Sequence, residues 1–261
     1  MDDGLRTTGH EQEAGLAGRL TASPGGQRRY AVKALWRTVQ GEGTQAGRAA
    51  VFVRLAGCNL WSGFEADRTR DAARSGADCP LWCDTEFTPP GAVKLSAADL
   101  ARAAAEAGGA VRFCVLTGGE PLLQADAALI RALHAEGFVV AVETNGTQRL
   151  ADAFGADPSD HPDWVVCSPK LSEDRLPLEA CDELKLVVPD YRPEAYAAMA
   201  TRVRGHAGRR ALWLQPEDGP RLGAATRIVS FVSSGGDWWA KNIRRAAANA
   251  ELAFVQPRPA A

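Results

Sequence analysis

Between Tyr30 and Gln215 the chain alternates short β-branched and aromatic runs with alanine-rich or amphipathic stretches. Repeated alternation of this kind restricts the fold to α/β architectures in which helices pack against a largely parallel sheet. Strands are predicted over YAVKALWRTVQ, AAVFVRLAG, the first part of VRFCVLTGGEP, FVVAVETNG, DWVVCSPK, DELKLVVPD and RALWLQPEDG. Helices are predicted over AADLARAAAEAGG behind a Ser96 cap, QADAALIRALHAEG, TQRLADAFG and PEAYAAMATRVRG. The pattern alone does not choose between an open sheet and a partial barrel, but in both, ligands gather at the carboxyl ends of the strands.

The polar tetrapeptides of the chain stand at those ends. TGGE (Thr117–Glu120), ETNG (Glu143–Gly146), SPK (Ser168–Lys170) and LQP (Leu214–Pro216) each follow or close a separate strand, and Lys185 sits inside another. Taken singly, each reads as turn chemistry. Together they predict one ligand-binding mouth bordered by Thr117, Glu143, Asn145, Ser168, Lys170 and Gln215. Gln40-Gly41-Glu42-Gly43 leaves the first strand with an amide and a carboxylate suited to reading a polar ring, although an isolated QGEG is also an ordinary turn. Arg54 interrupts the second strand, and an arginine in a half-buried strand needs a carboxylate from the protein or from a ligand.

Three cysteines, Cys58, Cys79 and Cys83, lie on one glycine-framed loop with a mixed 20-residue insert between the first two, followed at once by Asp84 and Thr85. Thiolates are soft ligands for zinc, copper(I) or iron–sulfur clusters. A structural zinc site takes four protein ligands, whereas a four-iron cluster on three thiolates keeps one iron open. No histidine is near, and the C-x20-C-x3-C spacing leaves an incomplete zinc site and a site-differentiated cluster as equal alternatives. Cys114, Cys167 and Cys181 read as small buried residues.

The 261 residues suffice for one large α/β domain or two small ones, and 30 Lys and Arg against 32 Asp and Glu leave no basic excess for a nucleic-acid partner. Six cysteines without a signal-peptide pattern point to a reducing, cytoplasmic setting. No run of about 18 apolar residues is present, so no membrane span is predicted. Residues 1–29 are polar and aperiodic and are expected to be a disordered extension. Residues 224–250 suggest two helical pieces, the second bearing Trp238 and Trp239, and ELAFVQP a last strand.

YAVKALWRTVQGEG, VFVRLAGCNLWSG, CDTEF, LTGGEP, ETNGT, SPK, ELKLVVP and WLQPEDGP together resemble the 7-carboxy-7-deazaguanine synthases, radical S-adenosylmethionine enzymes of queuosine biosynthesis. The likeness runs over about residues 30–220. It implies a partial, irregular (β/α) TIM-like barrel of the radical S-adenosylmethionine type over 30–261, with a cluster-binding loop at 57–88. It also implies a four-iron, four-sulfur (4Fe-4S) cluster on Cys58, Cys79 and Cys83 that binds S-adenosyl-L-methionine (SAM) at its open iron. The implied radical abstracts hydrogen from 6-carboxy-5,6,7,8-tetrahydropterin, whose ring contracts with loss of ammonia.

By the same resemblance, Val39, Gln40, Gly41, Glu42, Arg54 and Thr117 bind the pterin. Trp82, Cys83, Asp84, Gly119, Glu143, Asn145, Ser168, Pro169, Lys170 and Gln215 bind the cofactor, and Thr85 binds Mg2+. A homodimer and a flavodoxin-like reductant are implied as partners. Three features differ from the family pattern: the x3 interval between Cys79 and Cys83, the N-terminal extension, and an end reading AFVQPRPAA with no histidine beyond His206. Alternative readings are another radical enzyme such as an activase, or a non-catalytic zinc protein, which Cys114 beside the loop would favour.

Overall fold

The computed structural model describes residues 28–77, 83, 85–188, 193–206 and 209–216. Its strands are β1 (Tyr30–Val39), β2 (Ala49–Leu55), β3 (Val93–Leu95), β4 (Phe113–Gly118), β5 (Val139–Thr144), β6 (Trp164–Cys167), β7 (Glu183–Val188), β8 (Gly205–His206) and β9 (Arg209–Pro216). The helices are α1 (Arg68–Ser75), α2 (Ala97–Gly108), α3 (Ala127–Ala135), α4 (Leu150–Phe154) and α5 (Ala197–Arg202). The expected α2 starts where predicted, with Ser96 Oγ accepting from the Asp99 amide at 3.2 Å. Residues 193–205 are not one helix: a 3-10 turn over Pro193–Tyr196 precedes α5.

Among the described residues the strands form one nine-stranded sheet in the order β3-β1-β2-β4-β5-β6-β7-β9-β8. β2, β4, β5, β6, β7 and β9 are parallel throughout, and β1, β3 and β8 are antiparallel additions. The parallel strands follow chain order without reversing. Successive right-handed crossovers then put their helices on the same side of the sheet and leave the other side free to curve inward. Among the described residues the sheet does not close, and the architecture is the partial barrel that the resemblance implied.

Strand alternation separates the two faces. Val51, Val53 and Leu55 of β2, Cys114 and Leu116 of β4, Val140 and Val142 of β5, and Leu184 and Leu186 of β7 share one core with Leu100, Leu129, Leu133 and Met199 from the helices. The inner face carries Phe52, Val115, Ala141 and Trp164 low down. Nearer the carboxyl ends of β2, β4 and β5 the inner positions turn polar, with Arg54 paired in register with Thr117, and Glu143 paired with Val166, which also pairs with Glu183 at the start of β7. The switch from apolar to polar along one face marks the mouth. No described helix is long and apolar enough to cross a membrane.

Candidate functional site

The turn after β1 lies against the inner face of the sheet. Its Gly43, at φ +65°, presses onto β7 so closely that a Cβ would collide with the Glu183 carboxylate. Glu183 also accepts from the Thr44 amide at 3.0 Å and the Trp164 indole at 3.4 Å. This anchoring sets Gln40 beside Glu143 and Glu42 beside Lys185. Gln40 donates through Nε2 to Glu143 Oε1 at 3.0 Å and accepts from the Glu42 amide at 3.1 Å. Thr117 Oγ1 donates to the other Glu143 oxygen at 3.4 Å, and Lys185 Nζ is paired with Glu42 Oε2.

Gln40, Glu42, Thr117 and Glu143 are therefore one hydrogen-bonded group. The sequence reading noticed Lys185 only as a polar residue inside a strand and did not assign it to the site. It is 5 % exposed. Burial works to lower its pKa, yet Glu143, Glu42 and Glu183 outweigh that and hold the ammonium above the ordinary lysine range. Burial raises Glu183, with Lys185 acting in the opposite sense.

Arg54 enters the mouth from β2. Its guanidinium lies 5.0 Å from the Trp36 ring centroid, and its Nε is buried without a hydrogen-bond partner. The carboxylate expected for Arg54 is thus not supplied to Nε by the described protein. A buried donor left unpaired costs about 1–3 kcal/mol.

The cysteine loop docks on the rim through β4. The Glu120 amide donates to the Gly57 carbonyl at 3.0 Å, and a Cβ on Gly119 would lie 2.6 Å from Cys58 Cβ, so only glycine permits this approach. Glu120, 1 % exposed, accepts from the Leu122 amide at 3.0 Å, Thr144 Oγ1 at 2.8 Å and the Asn145 amide at 2.7 Å. Burial, partly offset by those bonds, pushes its carboxyl up to about 7. Asn145 Nδ2 donates to Asn59 Oδ1 at 3.1 Å, a second tie between a strand end and the loop. Glu120 and Asn59 were not singled out from sequence, although the adjacent TGGE and CN patterns contained them.

Part of the insert is helical. Asp71 on α1 accepts from the Ser62 amide at 2.6 Å, Arg68 donates to the Cys83 carbonyl at 2.8 Å, and Arg175 donates to the carbonyls of Ser75 and Gly76. Both arms of the loop are thereby fastened to one helix. Cys58 and Cys83 are each half-buried free thiols. Burial pushes the Cys58 thiol up to about 11, with Cys83 near enough to add to the shift.

Cys79, Trp82 and Asp84 lie outside the described residues, as do residues 1–27 and 217–261. Among the described residues no three His, Cys, Asp or Glu groups come together as a metal site. Cys114, Cys167 and Cys181 are buried, and Cys114 stands mid-strand in the helix-facing core with its thiol pushed up to about 12. Cys114 therefore does not serve the loop as a zinc ligand.

Ser168 follows β6, its amide bonded to the Thr144 carbonyl at 2.8 Å. Pro169 and Lys170 continue that turn, and Gln215 ends β9 opposite Val187, 7 % exposed. Val39 is 57 % exposed at the end of β1, and its side chain does not join the group. Gly41 is exposed in the same turn, and Thr85 is half-buried beyond Cys83.

No family model matches the chain. It is 46 % identical over 221 residues to the 7-carboxy-7-deazaguanine synthase of Bordetella pertussis, covering 80 % of this chain and 93 % of that protein. Identity to the 7-carboxy-7-deazaguanine synthase of Bradyrhizobium diazoefficiens is 45 % over 217 residues, with the same coverage. The crystal structure of QueE from Escherichia coli superposes with a TM-score of 0.51 at 24 % identity, over 72 % of this chain and 84 % of that one, and shares the fold. With likeness of this degree over 80 % of the chain and an open, chain-ordered parallel sheet, the protein belongs to the 7-carboxy-7-deazaguanine synthase family, on a radical S-adenosylmethionine fold.

Proposed function

We propose that the protein converts 6-carboxy-5,6,7,8-tetrahydropterin to 7-carboxy-7-deazaguanine with loss of ammonia, as a radical SAM lyase. The observation that carries this reading is the close approach of Gly119 to Cys58, which fastens the cysteine loop to the same rim that bears the Gln40–Glu143–Thr117 group. A ligand on the cysteines and a ligand on that group would be neighbours.

The donor chemistry fits an iron–sulfur cluster. Cys58 and Cys83 are soft ligands on a loop secured at both arms, and Cys79 supplies the third thiolate. Coordination would remove the proton that burial otherwise retains on Cys58. When bound, the cluster and SAM supply the radical chemistry that starts the ring contraction.

The chain's own residues bind and orient. Arg54 pairs with the pterin carboxylate through its guanidinium, whose buried Nε lacks a partner in the protein. Gln40, Glu42 and Thr117 read the ring edge, with the backbone of Val39 and Gly41 in the same turn. Glu143, bonded to Gln40 and Thr117, borders both ligands. Gly119, Asn145, Ser168, Pro169, Lys170 and Gln215, with Trp82 and Asp84, receive the cofactor. Thr85 contributes one oxygen to Mg2+, an ion that keeps waters and takes few protein ligands. Residues 30–261 form one domain with its cluster loop at 57–88. A homodimer, a flavodoxin-like electron donor and a cytoplasmic setting complete the reading.

Anaerobic reconstitution with iron and sulfide tests it. The expected protein is brown, cleaves SAM under reduction, and loses both properties on Cys83→Ala. A colourless protein holding one tight zinc ion overturns the proposal.

A further inference from the structure

Lys185 is a buried cation paired with Glu42 of the Gln40–Glu143 group. Its side chain is 7 % exposed, whereas that of its partner Glu42 is 38 % exposed. Glu42 is paired with it from the turn after β1, and Glu143 on β5 and Glu183, two residues earlier on its own strand, are near enough to act on its charge. The contacts divide these carboxylates into two kinds. Glu183 is taken up by the Thr44 amide and the Trp164 indole. Glu42 and Glu143 are joined through Gln40, whose amide group touches both residues, and both are partly exposed.

Two carboxylates brought together repel unless a cation balances them, and they then have acceptor capacity left for N–H donors. We propose that Lys185 is a positioning residue for substrate reading: it holds Glu42 and Glu143 as a paired acceptor for the N–H-rich edge of an aminopyrimidinone ring. The inference rests on the pterin reading above and adds to it the residue that makes the carboxylate pair usable. A merely structural role predicts something else, since removing one partner of a buried ion pair would then cost fold stability without selective loss of substrate affinity.

The test compares wild type, K185M, K185R and E42Q as cluster-loaded enzymes. Equilibrium affinity for the pterin is measured calorimetrically without reductant, and KM and kcat with it. K185M is expected to weaken pterin affinity about tenfold or more, the scale of a lost charge-assisted bond, and to raise KM in step with a smaller effect on kcat. Iron content stays at the wild-type level, and K185R recovers most of the affinity. The K185M/E42Q double variant is no weaker than the worse single variant, because both changes dismantle one unit. Unchanged pterin affinity in K185M, or losses that add in the double variant, overturns the inference. If K185M does not fold, E42Q, at a more exposed position, carries the comparison: unchanged affinity there overturns the paired acceptor. Wild-type protein that binds the pterin but forms no deazaguanine defeats the function reading alone, because the affinity comparison does not need turnover.

Discussion

Gly119 stands so close to Cys58 that a methyl group on it would lie 2.6 Å from the Cys58 Cβ and 2.4 Å from the Gly57 carbonyl oxygen. Neither neighbour is the free end of a flexible side chain. The loop must therefore move if position 119 gains a side chain, at a cost of about 1–3 kcal/mol by analogy with overpacked cores. Gly119→Ala is expected to lower both the melting temperature and the iron retained after reconstitution, with far-ultraviolet circular dichroism unchanged. Wild-type iron content in this variant would separate the turn after β4 from the cysteine loop.

Arg54 is expected to govern selection for a carboxylated substrate. Hydrogen bonds to charged groups contribute about 1.5–3 kcal/mol, so Arg54→Gln should lower the preference for the 6-carboxypterin over its decarboxylated analogue by about 10- to 150-fold. Competitive binding of the two pterins measures this. Equal loss of affinity for both would place the guanidinium in general packing instead.

The insert offers a separate test, because α1 fastens both arms of the loop. Arg68→Met removes the donor to the Cys83 carbonyl and Asp71→Asn weakens the acceptor for the Ser62 amide. Loss of such a bond costs about 1–3 kcal/mol locally when its partner stays buried. Both variants should retain the fold but release iron faster to a chelator, with Arg68→Met the more affected if the Cys83 arm is the weaker. Chelation kinetics followed by visible absorbance check this.

Glu120 gives the cluster-free chain a pH dependence of definite sign. Burial raises its carboxyl from 4.5 to about 7, so between those values the folded chain binds more protons than the unfolded chain. Stability from this group is complete below the unfolded value and declines as pH rises through the folded one. The melting temperature should fall by several degrees between the two, and Glu120→Gln should flatten the slope while lowering stability through the lost acceptor. Melting curves across that range decide the matter.

Much of this was legible in the chain. TGGE, ETNG and SPK announced themselves because polar residues closing apolar runs break strand patterning at the end where α/β folds bind ligands. Chain order of the parallel strands was not legible, since alternation alone does not fix neighbours. Helix α1 was missed because RTRDAARS offers only alanines as apolar residues, and its buried member is Asp71, held by hydrogen bonding. β3 has three residues, too few to show a period. Lys185 was visible in sequence, but its three carboxylate neighbours come from a turn and two strands that only the fold brings together.

The most direct measurement is mass-spectrometric analysis of an anaerobic reaction containing reconstituted protein, SAM, a one-electron reductant and 6-carboxy-5,6,7,8-tetrahydropterin. The account predicts 7-carboxy-7-deazaguanine over multiple turnovers, ammonia release, and no product from Cys58→Ala or Cys83→Ala. Product formation that survives loss of either thiol, or none from a wild-type protein carrying a full cluster, would contradict it.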